Sequence, residues 1–160
     1  MNRRAFVPSA FALVLSLVLV AVVASFGGRY APSPWYADLA KPTWTPPNWL
    51  FGPVWTILYI LMAVAAWLVW RHREHPGARS ALGSYVVQLI LNGLWSWIFF
   101  GQQRIGLALL DLLVLWIAVL ATLILFWRVR GSCGLLLLPY LVWITFAGVL
   151  NLALWHLNPS

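Results

Sequence analysis

Apolar residues fall into five long runs separated by polar breaks. The runs extend from about Pro8 to Phe26, Trp49 to Trp70, Ala81 to Phe100, Ile105 to Trp127 and Leu135 to Trp155. Each is close to the roughly 20 residues that carry a helix across a bilayer. The connections Arg71–Ser80, Gly101–Arg104 and Arg128–Gly134 are short enough to force neighbouring helices antiparallel. Only the first, from Arg29 to Asn48, is long. The pattern predicts a single all-α integral membrane domain over residues 1–160, a bundle of five transmembrane helices without internal repeats.

Composition agrees. Of 160 residues, 63% are hydrophobic and 8% charged, against about 25% charged in soluble domains. The mean hydropathy is +0.88. Five spans use roughly 100 residues, which leaves no room for a soluble catalytic, nucleotide-binding or DNA-binding domain. The first run follows Arg3 and Arg4, so a cleaved signal peptide is the rival reading there. The run exceeds a typical h-region of about 7–15 residues, which favours a retained helix.

The net charge of +7 would suggest nucleic acid in a soluble protein. Here the basic residues sit between apolar runs, as topology signals do. Arg3, Arg4, Arg71, Arg73, Arg79, Arg128 and Arg130 fall on one side, and Arg29, Lys41 and Arg104 on the other. The positive-inside rule places the N-terminus in the cytoplasm and the C-terminus outside. The expected location is a bacterial cell membrane, with no nucleic-acid partner. The single cysteine, Cys133, rules out an intrachain disulfide and any Cys-cluster metal site.

Polar residues at membrane depth usually face the bundle or a cavity. Gln88, Asn92 and Trp95 share one face of the third run. Trp143, Phe146, Ala147, Leu150 and Asn151 share one face of the fifth. Such faces either line a pocket for a flat apolar ligand or bond helices to one another. Asp111 lies six residues into the fourth run and reads as either a proton relay or a structural acid. A transporter is expected to show inverted repeats or broken helices, and neither is visible. His72 and His75 read as a solvated turn and His156 as interfacial. There is no nucleophile–base pair, phosphate loop or metal-ligand spacing, so neither catalytic nor metal-binding residues are assigned from the residues alone.

Twelve tryptophans are the most informative feature. Trp49, Trp70, Trp127 and Trp155 lie near span ends, where an interfacial belt accounts for them. Trp55, Trp95, Trp116 and Trp143 lie deeper. Trp35 and Trp44 sit in the first connection, which Pro42, Pro46 and Pro47 stiffen. With Tyr36 they make either a rigid aromatic lid or a plug.

The segment from Trp35 to Trp49, WYADLAKPTWTPPNW, is followed by Gly52-Pro53-Val54-Trp55 and Leu58-Tyr59, then Gln88 to Asn92, Trp95 and Phe99-Phe100-Gly101. Ala108 to Asp111, Pro139 to Trp143, Phe146-Ala147 and Leu150-Asn151 complete the series. In this order the residues resemble the TspO/MBR family of tryptophan-rich sensory and translocator (peripheral-type benzodiazepine receptor) proteins, over roughly residues 30 to 158. The resemblance implies a five-helix bundle, usually dimeric, with a cavity beneath the first loop. It implies binding of porphyrins such as protoporphyrin IX, as ligands and not required cofactors, and of benzodiazepine-receptor ligands. It links the chain to porphyrin and oxidative-stress regulation. Trp55, Gln88, Asn92, Trp95, Trp143, Phe146, Ala147 and Leu150 match cavity positions; Trp35, Tyr36, Pro42 and Trp44 match the lid.

Some bacterial members are reported to break porphyrins down with light or oxygen. In that case the resemblance assigns the chemistry to Trp55 and Trp143. Export of porphyrin or another apolar metabolite is the further alternative. Arg29 and Lys41, near the mouth in sequence, are candidates to meet ligand propionates. In the cholesterol-recognition pattern of animal members a Tyr and a basic residue stand where this chain has Leu152 and His156. Leu107 replaces a frequent Trp. High-affinity sterol binding is therefore not carried over.

Overall fold

Among the residues described, 3–30 and 34–159 of the computed structural model, with first-helix side chains from Ser9 onward, five stretches are long and apolar enough to cross a bilayer. The helices are α1 (Arg3–Gly28), α2 (Pro34–Asp38), α3 (Asn48–Arg71), α4 (Ala78–Ser96), α5 (Ile105–Val129), α6 (Gly131–Leu135) and α7 (Leu138–Leu157). A π-helical turn, Trp97–Gly101, continues α4. Helix is the form that satisfies every backbone donor and acceptor within one segment, which hydrocarbon demands.

Two of the predicted runs are interrupted. The third ends in the π turn, where the Gln102 amide donates to the Trp97 carbonyl at 2.8 Å. The short α6 falls in the predicted connection Arg128–Gly134 except for its last residue, Leu135, and the fifth run restarts at α7, whose second residue is Pro139. Proline lacks an N–H and is best tolerated in a first turn, although Pro53 stands inside α3, as membrane helices allow.

Apolar side chains such as Val22, Ile90, Ile117 and Val142 point outward, while Ser16, Gln88, Asn92, Asp111, Thr122 and Asn151 are buried. This inversion of the soluble pattern fits a lipid solvent, in which polar groups seek one another inside the bundle. α4 packs along α5, α1 along α3, and α5 along α7. Ser84 and Thr122 share a hydrogen bond at 2.7 Å across α4 and α5. The Ser16 Oγ donates to the Ala63 carbonyl at 2.9 Å, joining α1 to α3.

The arginine-rich connections meet at one end of the bundle. Arg130 donates to His72 Nε2 at 3.4 Å, while His72 Nδ1 donates to the Leu68 carbonyl at 2.8 Å. Trp67 Nε1 donates to the Ser9 carbonyl at 2.8 Å, bringing the start of α1 to the same end. Arg71 and Arg73 lie over the rings of Trp67 and Trp70, at 5.2 and 4.4 Å from their centroids. Cys133 is fully buried beneath this end.

Candidate ligand-binding site

At the other end, α1, α3, α4 and α7 diverge around a cavity of about 440 Å³. Its wall is aromatic. α3 supplies Phe51, Trp55 and Tyr59; α4 supplies Trp95; α7 supplies Trp143, Ala147, Leu150, Asn151 and Leu154. α1 contributes only small residues, Ala24, Gly27 and Gly28, and Tyr36 of α2 closes the top.

The π turn explains two further wall residues. Consecutive side chains on an α-helix point about 100° apart, so one of an adjacent pair normally turns away. The wider π turn brings both Phe99 and Phe100 to the wall. Phe99 stacks on Trp95 at 5.1 Å, and Phe100 meets Phe99 edge-on at 4.8 Å. Trp143 is fixed between Phe51 at 5.9 Å and Phe146 at 5.5 Å. Trp55 lies against Tyr59 at 5.4 Å and Tyr140 at 6.0 Å. Aromatic rings so clasped have little freedom to lose when a flat ligand arrives.

Polar groups form the floor and one side. The Tyr59 hydroxyl donates to Asn92 Oδ1 at 2.6 Å, and Asn92 Nδ2 donates to the Tyr140 hydroxyl at 3.1 Å. Trp95 Nε1 donates to Asn151 Oδ1 at 3.2 Å, and Asn151 Nδ2 donates to the Ile105 carbonyl at 3.0 Å. Asn151 thereby fixes both the Trp95 ring and the start of α5.

The loop above is tied down at several points. Ala40 N donates to Asn158 Oδ1 and Asn158 Nδ2 donates to the Ala40 carbonyl, each at 2.9 Å. Lys41 Nζ donates to the carbonyls of Ala37 and Leu39 and lies 4.8 Å over the Tyr36 ring. Tyr36 packs on Phe99 and Phe100, and Trp35 on Phe99. Burial raises the Tyr36 phenol above its ordinary value of 10.0, which keeps it neutral. Thr45 closes a turn on the Pro42 carbonyl at 2.8 Å, and Trp44 reaches Phe146 at 5.9 Å.

Of the residues singled out from the sequence, Tyr36, Trp55, Trp95, Trp143, Ala147 and Leu150 come together on the cavity wall. Asn92 lies just beneath, acting through Tyr59. Gln88 is a turn deeper, its Nε2 3.9 Å from the Met62 sulfur and its Oε1 without a partner among the described residues. Phe146 turns toward a shallow lipid-side hollow shared with Trp44, Val142, Thr145 and Val149. Trp116 stands apart, donating to Thr145 at 2.8 Å. Lys41 is engaged in the loop and Arg29 is exposed. Asp111 is buried outside the wall, its Oδ2 without a partner among the described residues.

Phe51, Tyr59, Phe99, Phe100 and the small residues of α1 were not among the sequence candidates for the wall, whereas Asn151 lay on the face of the fifth run read as a pocket wall. The adjacent Phe99-Phe100 pair is the one local signal for a turn that departs from α geometry. Among the described residues no cluster of His, Cys, Asp and Glu is placed to hold a metal.

A family model described as TspO/MBR family matches residues 12–156. Protein CrtK of Rhodobacter capsulatus is 43% identical over 144 residues, covering 89% of this chain and 90% of its own. Tryptophan-rich protein TspO of Archaeoglobus fulgidus is 40% identical, covering 92% and 95%. The translocator protein of Homo sapiens is 42% identical, covering 78% and 75%.

Proposed function

The chain belongs to the TspO/MBR family, and from that premise we propose that it binds a tetrapyrrole of the protoporphyrin type beneath its first loop. It is a multi-pass membrane protein, and on this reading it acts as a porphyrin sensor coupled to oxidative stress. The observation that carries the reading is the clasped aromatic wall: Trp55, Trp95 and Trp143 all face one cavity of about 440 Å³. A flat macrocycle gains from several ring faces at once, and a few fixed polar groups orient it. Tyr59 and Asn151, held by hydrogen bonds, are those groups.

The arginine-rich end lies in the cytoplasm of a bacterial cell and the loop outside, following the charge asymmetry. The bound form is a homodimer of one-site protomers. Light- and oxygen-dependent breakdown of the ligand is the second reading, favoured by the placement of both Trp55 and Trp143 against the cavity.

Titration with protoporphyrin IX tests both. Saturable quenching of tryptophan emission in the dark, near one ligand per chain, is expected. Loss of porphyrin absorbance under light beyond one equivalent would move the protein to the enzymatic reading. Absence of quenching would remove the tetrapyrrole assignment.

A further inference from the structure

The cavity wall is unevenly closed. Its residues from α2, α4, the π turn and α7 are buried or half-buried, whereas its exposed ones are Gly28 on α1 and Asn48, Gly52 and Thr56 on α3. All four border one seam. Lower down, that seam is shut by the hydrogen bonds from Trp67 to Ser9 and from Ser16 to Ala63. Followed upward from Ser16 and Ala63, the antiparallel register brings Gly28 and Gly52 to the same level. A Cβ on Gly28 or on Gly52 would meet nothing within 4 Å among the described residues. By contrast, a Cβ on Gly27 would come within 3.0 Å of Ser96 Oγ, so Gly27 is used for packing against α4.

The slot lies at membrane depth. Gly52 and Thr56 stand about 6 and 12 Å along α3 from its outer end at Asn48, inside a hydrocarbon core about 30 Å thick. Its lips are glycines, and the one amide among its exposed residues, Asn48, stands at the outer end of α3. Thr56 spends its hydroxyl on the Gly52 carbonyl at 2.9 Å. The aqueous side is instead fastened by Asn158, Lys41 and the Tyr36 and Trp35 ring contacts.

We propose that the cavity exchanges its ligand with the bilayer through the α1–α3 slot, with Gly28 and Gly52 as its lips, while the loop stays closed. The ligand is a flat apolar molecule dissolved among acyl chains, and a planar ring system can pass edge-on between two helices whose facing residues at Gly28 and Gly52 carry no side chains. The proposal rests on the tetrapyrrole reading only for the choice of probe.

The test uses the full chain in vesicles loaded with protoporphyrin IX, with stopped-flow tryptophan quenching as readout. A Gly28→Leu, Thr56→Phe double variant is compared with Asn158→Ala. Association and dissociation rates are expected to fall together by about tenfold in the double variant, a larger change than any in Kd, because both residues also border the cavity. In Asn158→Ala both rates should stay at the wild-type values. Unaltered rates in the double variant, or acceleration in Asn158→Ala, would overturn the portal.

If the wild type shows no quenching by the porphyrin, the tetrapyrrole reading fails, and lipids brominated on their acyl chains then probe the slot alone. The Trp55 contribution, taken as the difference from Trp55→Phe, should be quenched in wild type and protected by Gly28→Leu. Protection already present in wild type sinks the proposal.

Discussion

Among the described residues, Tyr59 and Asn92 are joined by the shortest hydrogen bond between spans, 2.6 Å from the phenol to the amide oxygen. The same amide reaches Tyr140 on α7. One side chain on α4 therefore ties the floor of the cavity to α3 and α7 at once.

Replacing Asn92 with Leu strands two buried phenols at once. An unsatisfied buried polar group costs about 1–3 kcal/mol, so a loss of about 2–4 kcal/mol is expected. Thermal unfolding of the purified protein measures it. Tyr59→Phe should cost less, because Asn92 keeps its bond to Tyr140. Equal losses in the two variants would contradict the bridging role.

Trp143 is held between Phe51 and Phe146 and lines the cavity. Stacking beyond simple area burial is worth about 0.5–1.5 kcal/mol per aromatic pair. Trp143→Ala should weaken porphyrin binding by about tenfold or more, since each 1.4 kcal/mol is a factor of ten. Unchanged affinity by equilibrium quenching would remove Trp143 from the site.

Asn158 and Ala40 exchange two hydrogen bonds across 118 positions of sequence. At about 0.5–1.5 kcal/mol each, their loss in Asn158→Ala should make the loop easier to open locally. Hydrogen exchange at the Ala40 amide should rise several-fold, with global unfolding unaltered. Protection equal to wild type would mean that the aromatic contacts alone hold the loop.

Two glycines separate packing from propensity. A Cβ at Gly134 would stand 2.9 Å from Trp127 Cβ and 3.1 Å from the Leu123 carbonyl, and backbone cannot yield. Gly134→Ala should destabilise by about 1–3 kcal/mol. At Gly83, inside α4, nothing lies within 4 Å, so Gly83→Ala should stabilise by about 0.5–1 kcal/mol. Melting curves that shift in the same direction for both would refute the assignment.

The number and placement of spans were legible because hydrocarbon imposes one rule on every residue of a run. The interruptions were less so. Pro139 marks the restart of α7 in the sequence, but at the π turn Phe99 and Phe100 pack against Trp35 and Tyr36 of the first loop, contacts that cross the chain. The site divides in the same way. Trp55, Trp95 and Trp143 announce themselves by depth and face. Gln88 shares a face with Asn92 yet sits a turn below the floor, because the cavity ends at the Tyr59–Asn92–Tyr140 bridge. The slot was invisible to a search for large aromatic residues, being made of side chains that are missing.

Cys133 lies fully buried where α6 crosses the end of α5. The only native thiol is thus shielded from aqueous reagents, and a buried thiol in apolar surroundings is inert. In practical terms the wild-type chain is already a blank background. A cysteine introduced on the first loop or at a lip of the slot can carry a fluorophore or spin label without first removing the native one, so motion of either gate can be followed in a protein altered at one position.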